Sequence, residues 1–240
     1  MKVRLDVMLA ERGLAESREK AQALVLAGEV LVNGVKARKP GQSVPAGADL
    51  QVMQHLLYVG RGGLKLEAAI DCFKIQVAGR VCLDVGSSTG GFTDCLLQRG
   101  AARVHTVDVG AGQLDWKLRT DSRVVLHERV NARYLRYEDI GELVDLAVCD
   151  VSFISVTLIL PALGPLLQPS AEMVILVKPQ FEVGREQVGK GGIVRDPELH
   201  RSSCERIESA VRQMGYQTDI IESPILGAEG NKEFLLYARH

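Results

Sequence analysis

The chain has 240 residues, 46% of them hydrophobic and 25% charged. That length fits one medium domain with a small companion, and the apolar content excludes a disordered chain. The 29 basic and 30 acidic residues leave a net charge of −1, so any affinity for nucleic acid must come from uneven placement of charge.

The placement is uneven: residues 1–40 carry eight Lys or Arg against five Asp or Glu, the remainder 21 against 25. Charges at Arg4, Asp6 and Glu11 interrupt the place where an export signal needs its apolar core, which points to a cytoplasmic protein. Leu5, Met8 and Leu9 sit at helical spacing before Gly13. Ser17 caps a second helix with Ala21, Leu24 and Val25 inward and Gly28 as its stop. Val30–Val32, Asn33-Gly34 and Val35-Lys36 read as a hairpin, because both turn residues must tolerate positive φ. Further short strands run to about Tyr58, closing a small α+β domain over residues 1–58.

From Arg61 the pattern becomes helices alternating with apolar strands. Helices are predicted over 63–73, 92–98, 157–167 and 199–214, and strands over 80–85, 104–107, 144–149, 173–177, 218–221 and 234–237. Continuous apolar strands between helices imply an α/β fold with a mostly parallel sheet covered on both faces, here over residues 59–240. The longest charge-free run, 151–171, is broken by Pro161, Gly164, Pro165 and Pro169. It reads as a strand end, a buried helix and a turn rather than a membrane span. The five cysteines are scattered singly without metal-ligand spacing, so they read as reduced core thiols and no metal is expected.

The run Leu83–Asp94 is a strand, a glycine-rich turn and a helix start, the geometry that lets backbone approach a nucleotide-like ligand. Asp108 ends the next strand, where a carboxylate can accept hydrogen bonds from ribose hydroxyls. On a dinucleotide pattern the three glycine positions fall on Gly86, Ser88 and Gly91. The middle one, needed for approach to a pyrophosphate, is wrong, which favours S-adenosylmethionine over NAD. A glycine turn that merely packs a helix on a sheet is the alternative. Lys65, Asp150, Lys178 and Glu233 fall near element ends on one side of such a sheet, and Asp150 and Lys178 each follow an apolar strand that would partly desolvate them. Taken singly, each reads more simply as a surface charge than as a catalyst. Arg4, Arg12, Arg18, Lys20, Lys36, Arg38 and Lys39 could form a phosphate-contacting face or only a solvated one. With 11 aromatic residues in the chain, recognition of RNA backbone and shape fits better than a base-stacking platform.

Arg4-Leu5-Asp6, Gly13-Leu14, Ser17-Arg18 and Gly28–Gly34 resemble the small RNA-binding fold shared by a ribosomal protein, pseudouridine synthases and tyrosyl-tRNA synthetases. Arg61–Leu66, Asp84–Asp94, Asp150–Phe153, Lys178–Phe181 and Gly230–Glu233 resemble the FtsJ-type methyltransferase domain of the TlyA family, so the likeness covers essentially the whole chain. It implies a Rossmann-like, S-adenosylmethionine-dependent 2'-O-methyltransferase acting on cytidine in ribosomal RNA or a ribosomal subunit, of a kind often labelled haemolysin. The family's Lys-Asp-Lys-Glu tetrad maps onto Lys65, Asp150, Lys178 and Glu233, and its cofactor site onto Gly86, Ser88, Gly90, Asp108, Asn131, Ala132 and Asp150. Gly60 departs from the family's expected Ser, which would loosen the hinge between the domains. The positions of the two chain ends resemble the shorter family form, which implies a large-subunit target.

On that reading Lys178 orients and deprotonates the 2'-hydroxyl, Asp150 and Glu233 hold the lysines and the ribose, and Lys65 tunes the site electrostatically. The competing readings are a membrane-lytic protein, opposed by the proline-broken run, a non-catalytic RNA-binding module, opposed by the complete tetrad, and a nicotinamide oxidoreductase, opposed by Ser88. No stable membrane association is expected.

Overall fold

The computed structural model describes residues 2–52, 57–227 and 230–240, which form two compact units, one within 1–56 and one within 57–240. The last part of the expected strand series, at 53–56, lies outside the described residues.

In the first unit, β1 (Lys2–Arg4) leads directly into α1 (Leu5–Glu11), and α2 (Arg18–Leu26) follows, capped by the Ser17 side chain on Lys20 N at 3.2 Å. β2 (Val30–Val32) and β3 (Val35–Lys36) form the hairpin, with Asn33 at φ 49° and Gly34 at φ 77°. β4 (Ser43–Pro45) pairs antiparallel with β1, and β5 (Leu50–Val52) with β2. Leu5, Leu9, Ala21, Val25 and Val30 close a small core.

The second unit opens with α3 (Gly62–Phe73), β6 (Val81–Val85), α4 (Gly91–Gln98), β7 (Arg103–Asp108), α5 (Trp116–Arg119) and β8 (Val124–Glu128). It continues through α6 (Tyr137–Ile140), β9 (Val144–Cys149), α7 (Leu160–Leu163), β10 (Leu167–Val177), α8 (Pro179–Glu182), α9 (Pro197–Gln213), β11 (Gln217–Glu222) and β12 (Phe234–Arg239). The seven strands run in the order β11-β12-β10-β9-β6-β7-β8, with β12 antiparallel to both its neighbours and β6 to β10 parallel. Along β9, Leu146 and Val148 face one core with α3 and α4, while Ala147 and Cys149 face the other with α7 and α9. Both faces are therefore dry, as the apolar strands require. Each fully buried aliphatic side chain such as Leu83 or Ile175 contributes about 1.5–3 kcal/mol. α9 shows the amphipathic counterpart, burying His200, Ser203, Cys204, Ile207 and Val211 at helical spacing.

Three expectations need correction. The single helix over 157–167 is instead a 3-10 turn (Val156–Leu158), the short α7, and a second 3-10 turn (Gly164–Leu166), because Pro161 and Pro165 each remove a backbone donor. The strand expected over 173–177 begins at Leu167, with a register shift between Leu167 and Glu172 that accommodates Pro169. The cysteines are free and four are buried, but Cys72 is exposed on α3 rather than in the core. Among the described residues no helix is long and apolar enough to cross a membrane.

Candidate active site

The chain leaves β6 to build β7 and β8 on one side, then returns to place β9 on the other side of β6. An open α/β sheet splits at such a switch point, and the crevice lies beyond the strands' carboxyl ends. A cavity of about 320 Å³ opens there, lined by Gly86 and Ser88 after β6, Asp108 ending β7, Asn131 and Ala132 after β8, and Asp150 to Ile154 after β9.

The turn after β6 is shaped by close approach. Gly86 has φ 84°, and a Cβ there would lie 2.4 Å from the Asp150 carbonyl oxygen, so only glycine lets the ends of β6 and β9 stand this close. Asp108 accepts Ser88 N at 2.8 Å on one oxygen and Gly110 N at 2.7 Å on the other. A carboxylate has about four acceptor sites, so it keeps capacity for a ligand's hydroxyls. Asn131 caps the turn at Ala132–Tyr134 through Arg133 N at 3.1 Å. Gly90 does not line the cavity; it has φ 98° and lies against Leu114 and Leu118. At Gly60, where the resemblance predicts Ser, a Cβ would stand 2.8 Å from Thr89 Oγ1, so this turn packs more tightly than a serine fits without moving Thr89.

The four tetrad positions form two ion pairs. Lys178 Nζ lies 2.5 Å from Asp150 Oδ1 and donates to Ser152 Oγ at 2.8 Å. Lys65 Nζ lies 2.5 Å from Glu233 Oε2, with the Glu233 side chain 2% exposed. α3 links the pairs: a Cβ at Gly62 would lie 3.8 Å from Asp150 Oδ2, and Lys65 follows one turn later. Glu233 stands immediately before β12, and a Cβ at Gly227 would meet its Oε1 at 1.9 Å, so the bare glycine makes room for the buried carboxylate.

Sequence reasoning missed several residues. Ser152 and Phe153 lie in the Asp150–Phe153 motif without a role predicted for either, yet Ser152 Oγ accepts from Lys178. Phe153 is 91% exposed at φ 66°, lines the cavity and packs its ring 5.1 Å from that of Phe181. Asp84 is fully buried and accepts Thr93 Oγ1 at 2.6 Å, while its Oδ1 has no partner among the described residues. Burial pushes its carboxyl up to about 7, with Thr93 opposing and Asp150 reinforcing the shift. The glycine-lined turn and an Asp108 carboxylate with acceptor capacity to spare fit a ligand that carries an adenosine ribose.

In the first unit, Arg4 and Arg18 converge on buried Asp6, whose carboxyl is held well below its ordinary range chiefly by the Arg4 hydrogen bond, against the effect of burial. Arg12 donates to the carbonyls of Ala46 and Ala48, so its guanidinium braces the fold. Lys20, Lys36, Arg38 and Lys39 are exposed.

Comparison with known proteins follows this division. Residues 58–240 match the FtsJ-like methyltransferase family and residues 3–50 the S4 domain. YqxC of Bacillus subtilis is 51% identical over 98% of this chain and 85% of its own. The 16S/23S rRNA (cytidine-2'-O)-methyltransferase TlyA of Mycobacterium tuberculosis is 48% identical over 99% of this chain and 90% of its own. A solved structure from Streptococcus thermophilus, named for haemolysin, is 45% identical with a TM-score of 0.75, covering 99% of this chain and 88% of that one.

Proposed function

Because the chain belongs to the TlyA family of FtsJ-like methyltransferases, we propose that it transfers a methyl group from S-adenosylmethionine to the 2'-oxygen of a cytidine in ribosomal RNA. The observation that carries this reading is the Lys178–Asp150 pair in and beside the wall of the switch-point cavity. Gly86, Ser88, Asp108, Asn131 and Ala132 would hold the adenosine portion, with Asp108 accepting from the ribose hydroxyls. Gly90 supports this wall from behind by packing on Leu114 and Leu118. S-adenosylmethionine supplies an electrophilic sulfonium methyl when bound.

The remaining difficulty is a weakly nucleophilic hydroxyl, so the chain's own residues must position it and receive its proton. Lys178 orients the 2'-oxygen and takes its proton as the general base. Asp150 and Ser152 hold its Nζ from two sides, which restricts where it can point. Glu233 anchors Lys65, whose charge sets the field of the pocket. The exposed Lys20, Lys36, Arg38 and Lys39 supply affinity and register for folded RNA, while Arg4 and Arg18 are engaged by Asp6. A cytoplasmic location follows from that substrate.

The test separates binding from chemistry. Calorimetry should detect S-adenosylmethionine and no NAD, and methylated ribosomal RNA should carry its label on a cytidine 2'-oxygen. Lys178→Ala should keep cofactor affinity yet lose roughly 10²-fold to 10⁴-fold in single-turnover transfer, the range for a positioned general base. Lys178→Arg keeps the charge but cannot give up a proton, so an active Arg variant removes the proton-transfer role.

A further inference from the structure

Glu182 ends α8, four residues after Lys178, and its side chain is 3% exposed. A carboxylate so buried must be satisfied, and among the described residues its partners outside its own helix come from two distant segments. Its Oε1 accepts Val156 N at 2.9 Å, and its Oε2 accepts Ser155 Oγ at 2.6 Å together with the guanidinium of Arg206 from α9. Arg206 also reaches Ser155 Oγ at 3.2 Å, and Ser155 Oγ contacts Thr157 Oγ1 at 2.7 Å. One carboxylate therefore gathers the turn after β9, the helix after β10, and α9.

This cross-link matters because of where the sheet stops. The last residues paired between β9 and β10 are Cys149 and Ile175; Asp150 N still donates to Val85 O and β10 stays paired with β12 to Val177, after which one chain runs as Val151–Ile154 along the cavity wall and the other toward Lys178 and α8. Strand pairing no longer sets the spacing of these two segments. They meet again where Lys178 Nζ reaches Asp150 Oδ1 and Ser152 Oγ, where the Phe153 and Phe181 rings pack, and where Glu182 accepts from Ser155 and Val156. The first two contacts belong to the site; the Glu182 contact lies behind it, on groups that do not line the cavity.

We propose that Glu182 is a positioning residue for methyl transfer, its buried carboxylate fixing the 151–156 turn to the segment that carries Lys178 and so setting where Ser152 and the exposed Phe153 stand. This inference rests on the methyltransferase reading above. Glu182 touches neither cofactor nor RNA; it acts through the turn. Arg206, with its side chain half exposed, supplies the compensating charge from outside.

Glu182→Gln keeps size and one acceptor but sets an amide N–H₂ against the Arg206 guanidinium or the Val156 N–H. In the full-length protein it should leave S-adenosylmethionine and RNA affinities within a few-fold of the parent. The single-turnover rate should fall roughly 10²-fold, as expected when a reacting group is misplaced by about 1 Å. Arg206→Lys, which keeps the cation, should retain most of that rate. Ser155→Ala leaves Glu182 on Val156 N and Arg206 and serves as the milder variant if Glu182→Gln does not fold; about a tenfold loss is expected. A Glu182→Gln protein with parental rate overturns the proposal. So does one whose rate and both affinities fall together with its melting temperature, since that marks a purely structural role. If the parent itself methylates no ribosomal RNA, the methyltransferase reading fails separately, and hydrogen exchange then decides the clamp. Faster exchange confined to the amides of 151–157 supports it, and unchanged exchange overturns it.

Discussion

Asp150 and Lys178 were legible because each ends an apolar run, and a charged residue at the mouth of a parallel sheet has few structural uses. Asp84 lies in a strand expected to be covered on both faces, but the sequence does not show that Thr93 is the side chain its carboxyl meets there. Its carboxyl is pushed up to about 7 in the folded protein against 3.8 for the ordinary side chain, with burial as the main cause. The folded form therefore keeps a proton that the unfolded form has released, so this group's contribution to stability is present below 3.8 and lost as pH rises toward 7. Asp84→Asn cannot ionise and keeps an acceptor for Thr93. Relative to the parent, the variant should gain stability across that window, by no more than about 4 kcal/mol. Melting temperatures of both proteins from pH 4 to pH 8 test this, and a difference between them that does not change with pH would remove the buried proton from the account.

At the scale of elements, period and punctuation carried β6, β9 and α4 because their apolar residues are continuous or helically spaced. The same signals over-read residues 157–167, where an apolar run looked like one helix although two prolines forbid it. Glu182 and Ser155, 27 positions apart, could not be paired from sequence because their link exists only once β9 and β10 are side by side. The glycines divide in the same way. Gly86 and Gly112 both have positive φ, at 84° and 71°, but a Cβ at Gly112 meets nothing within 4 Å whereas one at Gly86 strikes the Asp150 backbone. Gly112→Ala should then cost only the backbone strain, roughly 1 kcal/mol. Gly86→Ala should cost about 1–3 kcal/mol more, because β6 and β9 must separate to admit it. Denaturant unfolding measures both, and calorimetry should find cofactor binding weakened in Gly86→Ala alone. Equal losses in the two variants would mean that the strand ends yield easily and that Gly86 does not set the width of the crevice.

For the whole molecule, composition foretold two kinds of work in one chain, since a nearly neutral protein concentrated its basic excess in the first 40 residues. The alternation of strands and helices foretold a parallel sheet, but the reversal of β12 depends on pairing partners that no local pattern encodes. The basic excess is itself divided by the fold: Arg12 is tied to carbonyls and Arg4 and Arg18 to Asp6, while Lys36 and Lys39 remain exposed. A lysine that contacts phosphate releases counterions on binding, so its loss weakens RNA affinity and also flattens the dependence of affinity on salt. Reversing both charges, Lys36→Glu with Lys39→Glu, should weaken binding to a ribosomal RNA fragment across sequences and lower the slope of log affinity against log salt by about 2, one for each lost contact. Cofactor affinity should not change, because neither lysine lines the cavity between β6 and β9. Titrations of the full-length chain at several salt concentrations give the slope directly. If affinity falls while the slope stays, the two lysines act on RNA through something other than phosphate neutralisation; if neither changes, the RNA does not meet this face.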